Sequence, residues 1–404
     1  MNPLRVVKLL RAVDKVHLLR IPTILVTGSN GKGTTCAFTE AALRALGYKT
    51  GLFTSPHIDH PCERMRLDGM PVTMQQWDKT IRLVQTWAQA WDPDFPFFAQ
   101  TLVASLLLGE TCDVLVCEAG IGGRHDATNI LAPQVSAVVS VSKDHTEILG
   151  ETLFLIAQDK AFVGRRNKVL VIGDNVGQEA QQGIEATAQI VGCRVQPVRH
   201  EFLFQHAQWI QVLEQAQRLT PPFCTASLYK GNLRVALQLV SIFARNKVLT
   251  SAAQEQVVQN LATVTFPGRF EIQKKERVLI WDAAHNPGGV QFFYNQYRQL
   301  MAPSYPQCVI LFATLKEKNI PLMLELLQPF AAAFFLTSWD HPRAYQFCPS
   351  EAEQWTGGKP TFFYDDFAKA WQAAYQEQTQ LPLVSMGSIA FLGALRAWGG
   401  FTCA

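Results

Sequence analysis

The chain has no C-x-x-C pair and no run near the roughly 20 apolar residues a membrane helix needs. It also carries little net charge. Each absence removes a class of function. Nine dispersed cysteines, an odd number with Cys112 and Cys117 the closest, fit reduced thiols in the cytoplasm better than a disulfide framework. A formal charge of +3 over 404 residues gives no basis for a nucleic-acid surface. No membrane partner is expected, and there is no internal repeat or low-complexity tract. The leader "MNPLRVVKLLRAVDKVHLLR" is basic and amphipathic, as a mitochondrial presequence would be. It contains Asp14 and runs straight into an apolar strand, so a short docking helix is the expectation.

With 48% apolar residues the chain can fill a core, and its length points to two domains. "TILVTG", "YKTGLF", "DVLVCE", "VSAVVSVS" and "KVLVIG" read as buried strands, separated by helical patterns such as "TTCAFTEAALRALG" and "FFAQTLVASLLLGE". Continuous apolar strands alternating with helices imply a parallel sheet covered on both faces. Aromatic and polar alternation over 194–225 suggests a small side sheet. The pattern breaks at "TFPGRF" and restarts with "RVLIWDAAHNPGG", "CVILFAT", "AAFFLTS", "PTFFY" and "PLVSMGS". The fold class expected is therefore α/β: a covered parallel-sheet domain over 1–266, then a smaller Rossmann-like α/β domain over 267–404.

The chemistry concentrates at strand ends. "ILVTGSNGKGTTCAF" has the strand, glycine-rich turn and helix start of a phosphate loop, although Gly33 breaks the strict Walker spacing. Gly28, Gly31 and Gly33 permit close backbone approach to an anion, and Thr34 and Thr35 open a helix whose free amides favour phosphate. Lys32 supplies a point charge, and a threonine hydroxyl suits Mg²⁺. The plain alternative is a tight turn with an exposed lysine. Glu118 closes a strand otherwise almost free of charge, where a carboxylate often holds a metal; three glycines follow, then Arg124, Asp126 and Asn129. A solvated polar loop explains those residues as well. His145 in "SKDHTEILG" is either a metal ligand or structural, and Lys160 by default snorkels from a helix. Arg269, Asp282, His285 and Asn286, around "PGRF" and "DAAHNPGG", belong either to a small-molecule cleft or to an Asn-Pro turn.

Taken in order, "GSNGKGTT", "GLFTSPHI", "ERMRLDG", "EAGIGGRHDATN", "DHTEILGETLFLIAQDKA", "FPGRFE", "DAAHNPGG", "HPRA" and "MGSIAFLG" resemble the folylpolyglutamate synthase / dihydrofolate synthase family, a branch of the Mur-type ATP-dependent amide ligases. The resemblance spans nearly the whole chain, and the extra Gly33 is the spacing of that branch. It implies ligation of L-glutamate to dihydropteroate or a reduced folate through an acyl phosphate, in a monomeric cytoplasmic enzyme. Asn30, Gly31, Lys32, Gly33, Thr34 and Thr35 would bind ATP, with Arg269, Asp282 and Asn286 facing it from the second domain. Thr34 and Glu118 would hold one Mg²⁺, and His145 and a carbamylated Lys160 a second. Ser55 and His285 would lie near the reacting groups. Phe97 and Asp126 would contact the pterin.

The chain departs from the family pattern mainly on the acceptor side. "FFAQ" keeps Phe97 and Phe98 but lacks a following glutamate, Lys143 precedes Asp144, and Phe162 replaces a glycine. "LYKGNLRVAL" keeps Asn232 without the usual Gly-x-His-Gln preamble. Two other readings follow: a ligase for another carboxylate acceptor, or a silent ATP-binding paralogue. Retention of Thr34, Glu118, His145, Lys160 and His285 argues against silence.

Overall fold

The five buried residues of β1 (Thr23–Thr27) lie at the middle of an eight-stranded sheet, hydrogen-bonded on both sides. The computed structural model describes residues 2–198, 207–219, 227–247 and 249–401. Strands β2 (Thr50–Phe53), β5 (Val114–Glu118), β6 (Val135–Ser140), β7 (Val169–Asn175) and β8 (Arg194–Pro197) run parallel with β1. A short antiparallel pair, β3 (Met65–Leu67) and β4 (Met70–Pro71), extends one edge, giving the order β4-β3-β2-β5-β1-β6-β7-β8. The central strands are buried along their length, as expected of a parallel sheet covered on both faces.

Helices follow the apolar spacing of the sequence. The helix Lys32–Ala45 buries Cys36, Phe38, Ala41, Ala42 and Leu43, and Phe97–Leu108 buries Leu102, Val103 and Leu106. Each fully buried large aliphatic or phenyl side chain contributes about 1.5–3 kcal/mol. The leader forms the helix Leu4–Ala12, whose Val6, Leu9 and Leu10 join the same core, as a docking helix should.

The side sheet expected over 194–225 is corrected in its described part. Arg194–Pro197 is an edge strand of the main sheet, and Ala207–Leu219 is a helix; 199–206 and 220–226 lie outside the described residues. Among the side chains described in that helix, Trp209, Val212, Leu213 and Ala216 are buried, a spacing of three and four rather than two.

Contacts divide the chain into two units, 1–57 with 61–264, and 58–60 with 265–404. The second unit is built on β9 (Glu271–Lys274), β10 (Val278–Asp282), β11 (Cys308–Phe312), β12 (Ala331–Thr337), β13 (Thr361–Tyr364) and β14 (Leu383–Met386). Its order is β13-β12-β11-β14-β10-β9, all parallel except the antiparallel edge strand β9. Within this unit the fully buried Arg396 pairs with Glu271 at 2.7 Å and with Asp59 at 3.0 Å. Among the described residues no helix is long and apolar enough to cross a membrane, and the seven described cysteines are free.

Candidate active site

The order β5-β1-β6 sets the site. The chain leaves β1 to one side and later returns to the other, so the loops after β1, β5 and β6 emerge together at one sheet edge. They carry residues 28–31, 119–126 and 141–145.

The first loop is clamped by the third. Ser29 N donates to Ser140 O at 3.0 Å, Ser140 Oγ donates to Asn30 O at 2.7 Å, and Ser29 Oγ donates to Ser142 O at 3.1 Å. Gly31 caps the helix Lys32–Ala45 at φ 83°, a left-handed conformation that side chains with a Cβ adopt only under strain. The buried Asn232 leaves no room there either: a Cβ on Gly31 would stand 2.6 Å from its Oδ1. Lys32 Nζ folds back to Gly28 O at 3.1 Å and Ser29 O at 3.4 Å.

Glu118 ends β5 against the first turn of that helix. A Cβ at Gly33 would stand 3.1 Å from Glu118 Oε2, so the glycine that breaks the Walker pattern is where the carboxylate comes in. Ser55 N donates to the same oxygen at 3.0 Å. The residues here offer hard oxygens, the buried Glu118 carboxylate and the hydroxyl of Thr34, which follows Gly33 in the chain. That set fits a Mg²⁺ ion, which takes one or two protein oxygens and completes its shell with phosphate and water. No group of three or more His, Cys, Asp or Glu suited to a metal gathers among the described residues, so the site is no all-protein cage.

Lys160, on the helix Leu153–Ala161, is buried rather than snorkelling. Its Nζ donates to Gly28 O at 3.1 Å, the same carbonyl that Lys32 reaches. Burial and then the charge of Lys32 pull its pKa down to about 7, while Asp144, Asp159 and Asp126 act to raise it. The loop after β5 is docked on this helix: Asp159 Oδ1 accepts from Gly123 N at 2.8 Å, and a Cβ on Gly122 would meet that oxygen at 2.1 Å. Arg165 fixes the same junction, donating to Phe162 O, Gly164 O, Asn129 O and Leu131 O.

Asp126 is buried at the start of the 3₁₀ turn Ala127–Ile130, accepting from Thr128 N at 2.9 Å, Thr128 Oγ1 at 2.5 Å and Ile121 N at 3.0 Å. Burial pushes its pKa up against those bonds. Its hydrogen bonds shape the loop. Phe97 is 50% exposed at the start of its helix, with the Arg64 guanidinium 5.7 Å from its ring centre. His145 adopts φ 52°, and its ring lies 3.9 Å from Asp144 and 3.8 Å from Glu147. A histidine held in the left-handed region is of the kind that clusters at functional sites.

In the second unit Arg269, Asp282, His285 and Asn286 come together. Asp282, buried at the end of β10, accepts from Phe270 N and Ala284 N, both at 2.8 Å. Burial raises its pKa to about 6 against the opposing charge of Arg269. His285 Nδ1 is 2.9 Å from Ala283 O. Asn286 Oδ1 accepts from Gly289 N at 2.7 Å and caps the helix Pro287–Leu300.

Sequence reasoning gave no role to Arg64, Asn232, Arg165 or Ser140. The first two sat inside quoted motifs, but an arginine before a three-residue strand carries no sign of which way it points.

No family model matches the chain. The dihydrofolate synthase/folylpolyglutamate synthase of Bacillus subtilis (strain 168) is 29% identical over 339 residues, covering 80% of this chain and 78% of that protein. The ligand-free crystal structure of bifunctional folylpolyglutamate synthase/dihydrofolate synthase from Yersinia pestis matches with a TM-score of 0.79 at 25% identity, over 98% of this chain and 95% of that one. A structure of bifunctional folylpolyglutamate synthase/dihydrofolate synthase with Mn, AMPPNP and L-glutamate bound has the same fold, with a TM-score of 0.79 at 24% identity over 99% and 94%.

Proposed function

The chain belongs to the folylpolyglutamate synthase/dihydrofolate synthase family, and on that premise we propose that it ligates L-glutamate to dihydropteroate, to a reduced folate, or to both, using ATP and Mg²⁺. The observation that carries this reading is the meeting of Lys32 and Lys160 on one carbonyl of the phosphate loop, with Glu118 closing on the helix that the loop opens. A loop for phosphate alone needs neither a second, buried lysine nor that carboxylate.

The reaction has two displacements. A carboxylate oxygen of the acceptor attacks the γ-phosphorus of ATP, the bond from that phosphorus to the bridging oxygen breaks, and ADP leaves. The glutamate amine then attacks the acyl carbon, phosphate leaves with the C–O electron pair, and the nitrogen gives up a proton. Such chemistry depends on positioning and on stabilising migrating negative charge. The loop amides and Lys32 hold the phosphates; Thr34 and Glu118 would hold one Mg²⁺, which would neutralise phosphate charge, and His145 would serve a second. Arg269, Asp282 and Asn286 serve ATP, His285 and Ser55 the reacting groups, and Phe97 and Asp126 the pterin.

Lys160 acts as its carbamate. An amine whose pKa has fallen to about 7 is substantially neutral at physiological pH, the form that combines with CO₂. The product is an anionic oxygen ligand in a pocket that disfavours ammonium. The dispersed cysteines support work in the cytoplasm, where thiols stay reduced, and the enzyme acts there as a monomer in this reading.

A second acceptor class has one observation in its favour. Phe162, in place of the family's glycine, stacks under Arg124 at 4.8 Å and adds bulk beside the loop that carries Asp126. The test of both readings is phosphate release with glutamate and a panel of carboxylates, with the amide product read by mass. Release only with a non-pterin acid would replace the acceptor and keep the ligase.

A further inference from the structure

Thr27 is the last residue of β1 and is fully buried, yet its hydroxyl does not serve its own strand. Thr23, at the other end of β1, donates locally to Ile21 O at 2.9 Å. Thr27 Oγ1 instead donates to Gly122 O at 2.6 Å, across 95 residues of chain. That oxygen belongs to the same peptide group as Gly123 N, which donates to Asp159 Oδ1 at 2.8 Å. The C=O and N–H of a trans peptide point in opposite directions, so this one plane is gripped from both sides.

One residue further along each element, Lys160 Nζ donates to Gly28 O at 3.1 Å. Thr27 precedes Gly28 and Asp159 precedes Lys160, so the Gly122–Gly123 peptide forms a second rung beside the lysine's own bond. It sets the gap between the end of β1 and the last turn of the helix Leu153–Ala161. The rung has no slack. A Cβ on Gly123 would stand 2.6 Å from Lys160 O, and one on Gly122 would stand 2.7 Å from Leu149 Cδ2. Two glycines in succession let the helix backbone come this close. A lysine side chain has several rotatable bonds, so burial alone does not fix its nitrogen, and a misplacement of about 1 Å at a reacting centre can cost on the order of 100-fold in rate.

We infer that Thr27 and Asp159 are positioning residues for Lys160, clasping the Gly122–Gly123 peptide between them and so holding the lysine at the phosphate loop. The inference rests on the ligase reading above and adds the residues that keep its buried lysine in place. The clasp acts on the backbone, so the amine and its carbamate are delivered to the same point. Both residues act through Lys160 rather than on a substrate.

The test uses the full chain with ATP, Mg²⁺, L-glutamate and whichever acid the wild-type protein turns over. Thr27→Val keeps the shape of the side chain and removes its hydroxyl. It is expected to lower kcat about 10- to 100-fold, while the KM values for ATP, glutamate and the acceptor stay within about threefold. Thr27→Ser, which restores a hydroxyl, should recover kcat to within about threefold of wild type. Asp159→Ala frees the other side of the peptide and should lower kcat similarly; it decides the matter if the valine variant does not fold by circular dichroism. The double variant should be little worse than either single one, because both loosen the same peptide. A second readout needs no turnover: in CO₂-free buffer, acetic anhydride should acetylate Lys160, followed by peptide mass, several times faster in both single variants than in wild type. Unchanged kcat in both, a loss confined to the acceptor KM, losses that multiply in the double variant, or an unchanged acetylation rate would each overturn the proposal. Failure of the wild-type protein to release phosphate with any acid would instead overturn the ligase reading, and the acetylation rates would then decide the clasp alone.

Discussion

Lys160 Nζ and Lys32 Nζ both donate to the carbonyl oxygen of Gly28, each at 3.1 Å. Two ammonium groups sharing one acceptor disfavour double protonation, and the buried one yields. The loop after β1 and the helix Leu153–Ala161 are thereby joined at one carbonyl.

The first prediction concerns the unmodified amine, in protein kept free of CO₂ and bicarbonate, and follows from the depressed pKa of Lys160. Between about pH 7 and the usual lysine value of 10.5 the unfolded chain holds a proton at this residue that the folded chain has lost. Stability therefore rises with pH across that window, and the burial penalty is fully felt below pH 7. Lys160→Met should raise the melting temperature relative to wild type at pH 6.5, and the gain should shrink towards pH 9.5. Thermal melts of the two proteins across that range give the answer, and a gain independent of pH would contradict it.

Loss of the Lys160 side chain should also abolish turnover. If carbamylation is its role, Lys160→Ala should recover part of its activity in added short-chain carboxylates, which supply the missing anion. Phosphate release with and without acetate or formate measures this, and the absence of rescue would count against the carbamate.

Glu118→Gln keeps an oxygen for Ser55 N but removes the negative charge beside Thr34. Turnover should fall on the order of 100-fold or more, with little change in melting temperature, since the charge stabilises moving phosphate rather than the fold. A matched loss of stability and activity would mean that Glu118 is mainly structural.

Gly31 and Gly33 should respond differently to alanine. Gly31→Ala meets a left-handed backbone and the Asn232 side chain at 2.6 Å, and should cost about 1–3 kcal/mol of stability in a denaturant titration. Gly33→Ala has no such backbone strain and pushes only on the Glu118 carboxylate at 3.1 Å. It should lower activity more than stability.

The alternation of apolar strands with helical spacing made both parallel sheets legible, because buried parallel strands announce themselves as runs such as "TILVT" and "CVILF". Short edge elements escaped. Met65–Leu67, Met70–Pro71 and Glu271–Lys274 are too brief to carry a period. The helix Ala207–Leu219 was hidden by aromatic residues that mimic alternation at its start. Ile58–His60 joins the second unit through an ion pair between Asp59 and Arg396, partners too distant in sequence to be paired from it. At the site, the residue types of the phosphate loop and Glu118 were readable, whereas the burial of Lys160 and the direction of Arg64 depend on helices and turns arriving from elsewhere in the chain.

The central claim is acyl activation of a pterin or folate acid, and coupled phosphate release tests it most directly. With ATP and Mg²⁺ present, release should require both L-glutamate and dihydropteroate or a reduced folate, and should match the amide formed mole for mole. Release that ignores the acceptor, or no release with any carboxylate despite ATP binding, would contradict the account.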